Sequence, residues 1–138
     1  MFGKENAVVD KSKRFALRII KLYKYLTETK KEYIMAKQIL RSGTSVGSNI
    51  REAVRAQSKP DFYTKLYIAL KEAEETLYWL ELLYESEYIE KTQFDSVYKD
   101  GEEIVRILVA ITKNQGKIIS WIVKTNYSVK KNQPLINS

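Results

Sequence analysis

Apolar residues recur at spacings of three and four along most of the chain, and only two prolines interrupt the pattern. This is the period of α-helices that bury one face, so the sequence predicts an all-α fold. A first helix is predicted near residues 9–29, where Phe15, Ile19, Leu22 and Leu26 form the apolar stripe. The polar stretch TETKKE follows as a turn, and a second helix is predicted from about Tyr33 to Gln57.

Capping patterns mark the starts of two further helices. Ser58-x-x-Asp61 has the spacing of a capping box, and Pro60 suits a first helical turn, where no backbone donor is needed. Thr92-x-x-Asp95 predicts the start of the fourth helix in the same way. The core positions predicted for the third helix are Phe62, Leu66, Ala69, Leu70, Ala73, Leu77, Leu80 and Leu83. Four helices with short connections predict an up-down-up-down antiparallel four-helix bundle.

The length of 138 residues suits a single domain, with a bundle core over about residues 8–113. Beyond Asn114 the helical period weakens. KIISWIV either extends the fourth helix or folds back, and YSVKKNQPLINS resembles a frayed basic tail. No apolar run approaches the ~20 residues of a membrane span, and the N-terminus lacks the apolar part of a signal peptide. A cytoplasmic protein with no membrane partner is therefore expected.

The segment QILRSGTSVGSNIREA, residues 38–53, has the composition of a loop but the periodicity of a helix. Gly43 lies on the predicted apolar seam and Gly47 follows four residues later, and each costs about 1 kcal/mol of helix propensity relative to alanine. Close approach of a neighbouring helix is expected to offset that cost. The seam comprises Ala36, Ile39, Gly43, Val46, Ile50, Ala53 and Gln57.

A second stripe of the same helix is polar throughout. Its members are Gln38, Arg41, Ser45, Ser48, Glu52 and Arg55, with Asn49 beside them. Exposed helix surfaces usually carry Lys, Glu and Gln, because Ser and Asn are poorer helix formers. The serines and Asn49 therefore favour a surface that contacts another molecule, although a solvated face also fits Ser45 and Ser48. Glu52 is predicted to pair with Arg41, Arg55 or an arginine of a neighbouring helix.

Together with SKPDFYTKLYIALKEAEETLYWLELL, this segment resembles the bacterial four helix bundle proteins. The founding members of that family are encoded within intervening sequences of 23S ribosomal RNA genes. The resemblance covers about residues 8–113 and implies a bundle that assembles as a homopentamer. The chain is also similar to the accessory variability proteins of diversity-generating retroelements, which are basic pentamers that bind nucleic acid and a reverse transcriptase. The resemblance names no activity for this chain.

The charge is distributed unevenly along the chain, whose net charge is +7. Residues 1–60 contain 14 Lys and Arg against 5 Asp and Glu, whereas residues 61–103 contain 4 against 12. One face of the first helix is basic, and its residues are the predicted nucleic-acid contacts: Lys11, Lys13, Arg14, Arg18, Lys21 and Lys24. A face of one sign forgoes ion pairs along the helix but suits phosphate, although a solvated face remains the alternative. No motif that reads base edges is present, so any binding should be mainly sequence-nonspecific.

The third helix carries an acidic and aromatic face opposite its core. Aromatic residues are enriched at protein interfaces, and an acidic face on one element with a basic face on another favours head-to-tail contact, which can close into a ring. Trp79 and Leu82 have no place in the predicted core stripe. The predicted oligomer interface consists of Arg41, Ser45, Glu52, Glu72, Glu75, Tyr78, Trp79 and Leu82.

The composition argues against most enzymatic functions. Cysteine and histidine are absent, which removes thiol chemistry, the commonest general base and the histidine ligands of ferritin-like di-iron sites. Ser45 or Ser48 could serve as a nucleophile only with Lys37 or Glu52 as the base. We therefore expect a non-enzymatic accessory protein without a cofactor or metal that binds other copies of itself and RNA or DNA. The alternative is a protein scaffold that does not bind nucleic acid.

Overall fold

A computed structural model describes the backbone of residues 3–113 and the side chains of residues 7–113. This part of the chain consists of four helices joined by short turns, which confirms the predicted all-α fold. The helices are α1 (Gly3–Glu28), α2 (Ile34–Val54), α3 (Lys59–Glu85) and α4 (Lys91–Lys113). None of the four combines the length and hydropathy needed to span a membrane. The predicted extension over residues 114–138 lies outside the described residues.

Helices that touch in the bundle run in opposite directions. An early residue of one helix meets a late residue of the next, as where Ser12 of α1 lies against Gly47 of α2 and Ile19 against Gly43. The same reversal relates α2 to α3, α3 to α4 and α1 to α4. Between α2 and α3 the contacts are Ser42–Thr76 and Glu52–Lys65. Between α3 and α4 they are Glu81–Tyr98 and Tyr84–Phe94. Between α1 and α4 they are Lys11–Glu103 and Arg18–Ser96. These contacts give the up-down-up-down order.

The core contains the apolar residues that the spacing predicted for α1 and α2. Phe15, Ile19, Leu22 and Leu26 are buried, and so are the seam residues of α2 apart from Gln57, which is exposed beyond the helix end. On α3 the prediction is less accurate. Phe62, Leu70 and Leu77 are only partly buried, whereas Tyr63 and Thr76 are buried in the interior.

Gly43 and Gly47 let α1 approach α2 closely, as predicted for the 38–53 segment. A Cβ atom on Gly43 would lie 2.8 Å from both Cγ1 and Cγ2 of Ile19. A Cβ atom on Gly47 would meet the Ser12 hydroxyl at 3.4 Å and the Ser12 carbonyl oxygen at 3.5 Å. The two glycines weaken the helix propensity of the segment, but they also permit this close packing, which offsets the cost.

A hydrogen-bonded pair of hydroxyls lies between α2 and α3. The Thr76 hydroxyl is 2.9 Å from the Ser42 hydroxyl and 2.7 Å from the Glu72 carbonyl oxygen, and both side chains are buried. Buried polar groups must find partners, so this pair favours one register between the two helices.

Two helix boundaries differ from the predictions. Helix α2 ends at Val54, three residues before Gln57. Helix α4 begins at Lys91 because Gln93 Oε1 accepts a hydrogen bond from the Glu90 backbone N–H at 2.9 Å, so Thr92 lies inside the helix rather than capping it. The Ser58 cap of α3 is confirmed, since its hydroxyl accepts from the Asp61 backbone N–H at 3.2 Å.

Candidate nucleic-acid interface

The outer face of α1 is an exposed basic surface. It presents Lys13, Arg14, Lys21 and Lys24, all of them exposed, around the half-exposed side chain of Leu17. None of these four cations forms an ion pair or hydrogen bond with a residue that the structure describes. We call these four residues the α1 basic face. Helical geometry places them within about a third of the helix circumference, so they point to one side of the bundle.

The other two predicted contacts, Lys11 and Arg18, are held by acidic residues of α4. Lys11 Nζ lies 3.2 Å from Glu103 Oε2. Arg18 donates to Asp100 Oδ2 at 2.6 Å and to the Ser96 hydroxyl at 2.8 Å. Each of these carboxylates neutralises a cation along the edge where α1 meets α4. The cations available to an external phosphate are therefore those of the α1 basic face.

The predicted oligomer interface lies along α2 and α3, where part of its charge is satisfied within the chain. Arg41 donates to Glu75 Oε2 at 3.2 Å, and Trp79 Nε1 donates to the same oxygen at 3.3 Å. Trp79 also packs against the core, which corrects the expectation that it has no place in the monomer. Tyr78 and Leu82 remain on the outer side of α3, with Tyr78 55% exposed.

Glu52 has a different partner from those predicted. Its Oε1 lies 3.0 Å from Lys65 Nζ on α3, so the pairing residue is a lysine of the neighbouring helix rather than an arginine. The Glu52 side chain is 56% exposed, and exposed pairs of this kind contribute ~1 kcal/mol or less. Glu52 is therefore a surface residue of the single chain.

Glu72 carries an orphaned oxygen on the same face. Its Oε1 is buried and has no hydrogen-bond partner among the described residues. Burial and then the neighbouring Glu75 raise the pKa of the Glu72 carboxyl, while Arg41 and Lys71 act in the opposite direction. A buried polar atom without a partner is uncommon in a folded chain and marks a locally unfavourable position.

The family model of the 23S rRNA-intervening sequence protein matches residues 4–110. The chain belongs to this family. A crystal structure from Bacteroides thetaiotaomicron, described as a protein with unknown function from the S23 ribosomal protein family, is 58% identical in sequence to this family member. The two superpose with a TM-score of 0.80, and the match covers 80% of this chain and 99% of that chain. A comparison with curated proteins gives no match.

The two candidate serine nucleophiles of this chain form hydrogen bonds to their own helix. The Ser45 hydroxyl donates to the Arg41 carbonyl oxygen at 2.7 Å, and the Ser48 hydroxyl donates to the Ser45 carbonyl oxygen at 3.1 Å. No hydrogen bond joins either hydroxyl to Lys37 or Glu52, both of which lie in the described part of the chain. Residues 7–113 also contain no cluster of carboxylates suited to a metal ion.

The acidic residues of α4 are the part of this family member's candidate site that sequence reasoning missed. Asp100 and Glu103 lie on the face of α4 that meets α1, and they determine which cations stay available. Their spacing of three does place them on one helix face. That signal was present in the sequence, but it does not reveal which helix the face meets.

We expect Glu72→Gln to stabilise the chain at neutral pH. The raised pKa means that the folded state keeps a proton that the unfolded chain releases near 4.5, so stability falls as the pH rises from that value through the raised pKa of the folded state. Removing the charge removes this loss. Urea unfolding should give a higher midpoint for the variant at neutral pH and a converging midpoint below about 4.5.

The matched control is Glu74→Gln, which removes one exposed negative charge two residues further along α3, about 200° around the helix. It should leave the midpoint nearly unchanged at both pH values, since surface substitutions rarely exceed about 0.5 kcal/mol. A lower midpoint for Glu72→Gln at neutral pH would contradict the prediction. It would show that the charged carboxylate has a favourable partner in solution.

Proposed function

We propose that this family member is a non-enzymatic, oligomeric accessory protein that binds nucleic acid through the α1 basic face, mainly without sequence preference. The observation that carries the proposal is the exposure of four cations of one sign on one helix face, with no partner in the described chain. Phosphate contacts by such cations gain free energy by releasing counterions from the nucleic acid. Because such contacts read no base edges, little sequence preference follows.

The expected assembly is a homopentamer, as the family resemblance implies. A ring would repeat the α1 basic face in every subunit, so that weak phosphate contacts on one strand act together. The proposed subunit contact is the predicted oligomer interface along α2 and α3. The Glu72 oxygen that lacks a hydrogen-bond partner among the described residues and the exposed Tyr78 ring support this choice. The proposed location is the cytoplasm.

Light scattering should give a mass near five times the subunit mass of 16.1 kDa, about 80 kDa. We expect Tyr78→Asp to dissociate the assembly while leaving its helical circular dichroism intact, because Tyr78 is 55% exposed in the single chain. Tyr78 is a better test position than Trp79, because Trp79 also packs against the core. A 16.1 kDa species at micromolar concentration for the unaltered protein would refute the oligomer.

Nucleic-acid binding should depend steeply on salt. Four phosphate contacts per subunit give a log–log slope of about −3 for a single strand, so affinity should fall about 50-fold between roughly 50 and 200 mM salt. Contacts from a second subunit on the same strand would steepen the slope. Fluorescence anisotropy with mixed-sequence RNA, single-stranded DNA and duplex DNA measures this directly.

The alternative function is a protein scaffold that does not bind nucleic acid. Ile68 and Tyr78 on α3 are 36% and 55% exposed, and Ile34 at the start of α2 is 77% exposed; these side chains favour it because they are available to pack against a protein. The same titrations separate the two functions. Absence of binding to every strand at low salt would reject the nucleic-acid proposal and leave the scaffold.

A further inference from the structure

A groove of about 300 Å³ lies between the C-terminal half of α1 and the first turns of α4. This volume is at the lower end of the range that small-molecule sites occupy. The groove combines apolar, aromatic and cationic side chains, and it borders the α1 basic face through Lys21. Its lining consists of Arg18, Lys21, Leu22, Tyr25, Gln93 and Val97.

The inner wall of the groove is apolar and the Tyr25 ring stands at its side. Leu22 and Val97 are each only 8% exposed, so they form a dry surface continuous with the core. Tyr25 is partly exposed, and the Lys30 ammonium group lies 6.0 Å from its ring centroid. The Tyr25 hydroxyl has no hydrogen-bond partner among the described residues. An aromatic ring beside an apolar wall suits the flat face of another ring.

Two polar groups of the groove have fixed orientations. Arg18 is anchored across to Asp100 and Ser96, so its guanidinium forms a rigid edge. Gln93 uses Oε1 to cap the Glu90 backbone N–H, and this bond directs the amide group. The Gln93 Nε2 amino group is left with no partner among the described residues. It is an unused hydrogen-bond donor at the wall of the groove.

We propose that this groove holds one unpaired nucleobase of a single-stranded nucleic acid, stacked on Tyr25, while Lys21 contacts the adjoining phosphate. The inference rests on the proposed function and specifies that the nucleic acid is single-stranded. The apolar wall and ring suit a base, and the exposed Lys21 beside them suits the phosphate attached to it. A base inside a duplex is stacked between its neighbours and cannot enter a groove between two helices without leaving the stack.

The test compares a short thymidine or uridine strand with an abasic strand of the same number of phosphates. The unaltered protein should bind the strand with bases about 5- to 100-fold more tightly, since stacking contributes ~1–3 kcal/mol per base and ~1.4 kcal/mol is tenfold. Tyr25→Leu keeps an apolar side chain but removes the ring. It should bind both strands with the affinity that the unaltered protein shows for the abasic strand.

Tyr33→Leu is the matched control, because Tyr33 is an exposed tyrosine that does not line the groove. It should retain the preference for the strand with bases. Equal affinity of the unaltered protein for both strands would overturn the inference and leave phosphate binding standing. Absence of binding to either strand at low salt would overturn both proposals. Equal losses in Tyr25→Leu and Tyr33→Leu would also refute a site in this groove.

Discussion

Reversing the four cations of the α1 basic face should abolish nucleic-acid binding. The variant is Lys13→Glu, Arg14→Glu, Lys21→Glu and Lys24→Glu in one chain. Each phosphate contact that is lost removes about 0.7 from the log–log salt slope for a single strand, and the new carboxylates repel the phosphates. We expect affinity at about 50 mM salt to fall more than roughly 100-fold, with almost no salt dependence left. Fluorescence anisotropy measures both quantities.

The reversals leave Arg18 unchanged for a structural reason. Its guanidinium bonds to Asp100 and Ser96, so a carboxylate at this position would face another carboxylate and disturb the contact between α1 and α4. The four selected side chains make no such contact within residues 7–113. Circular dichroism and light scattering should therefore match those of the unaltered protein.

A matched control distinguishes the loss of the α1 basic face from the change in net charge. It reverses four exposed cations elsewhere on the bundle, namely Lys37, Arg51, Lys59 and Arg106. Both variants have the same net charge, so a purely long-range effect would weaken binding equally in the two. Such an equal loss would contradict the proposed interface. We expect the control to lose less than about tenfold in affinity, since its cations lie outside the contact.

The fold was predictable because helix formation and burial leave a local periodic signal. The spacing of Phe15, Ile19, Leu22 and Leu26 identified the buried face of α1 without knowledge of its neighbours. The same reasoning assigned the glycine-containing segment to a helix. A repeat of three and four residues is imposed by helix geometry, and it survives the substitution of individual positions by small residues.

The candidate site was less predictable because its contacts join different helices. Whether Arg18 faces solvent or Asp100 depends on how α1 and α4 are rotated and staggered, which neither helix specifies alone. Glu52 met Lys65 for the same reason, although several arginines were closer candidates in sequence. Trp79 has one edge against the core and its ring nitrogen on Glu75, an intermediate position that a division into buried and exposed faces does not describe.

Gly43→Ala should destabilise the bundle although alanine is the better helix former. Its Cβ would lie 2.8 Å from two Ile19 carbon atoms and 3.1 Å from the Ile19 Cβ, which is fixed to the α1 backbone. Rotating the side chain therefore cannot relieve the clash, and α1 must move away from α2. Overpacking of this kind costs about 1–3 kcal/mol. Urea unfolding at a fixed protein concentration measures the loss.

Gly47→Ala is the matched substitution, about one turn further along α2. Its Cβ would lie 3.4 Å from the Ser12 hydroxyl and 3.5 Å from the Ser12 carbonyl oxygen, which are ordinary contacts. It should be neutral or stabilising by up to about 1 kcal/mol, the gain in helix propensity. Opposite signs for the two glycines would assign the effect to the contact with α1, whereas equal destabilisation would contradict the packing described for Gly43.

A double-mutant cycle with Ile19→Ala tests the contact itself. Ile19→Ala removes both clashing carbon atoms and should cost about 2–5 kcal/mol on its own, because the side chain is buried. Adding Gly43→Ala to that variant should then cost less than it does beside Ile19, because only the Cβ of residue 19, 3.1 Å from the new methyl group, remains. Additive losses would show that the two residues do not compete for the same space. Strong non-additivity would establish that Gly43 is present to admit Ile19, and that the small residues of α2 bring the basic helix α1 against the rest of the bundle.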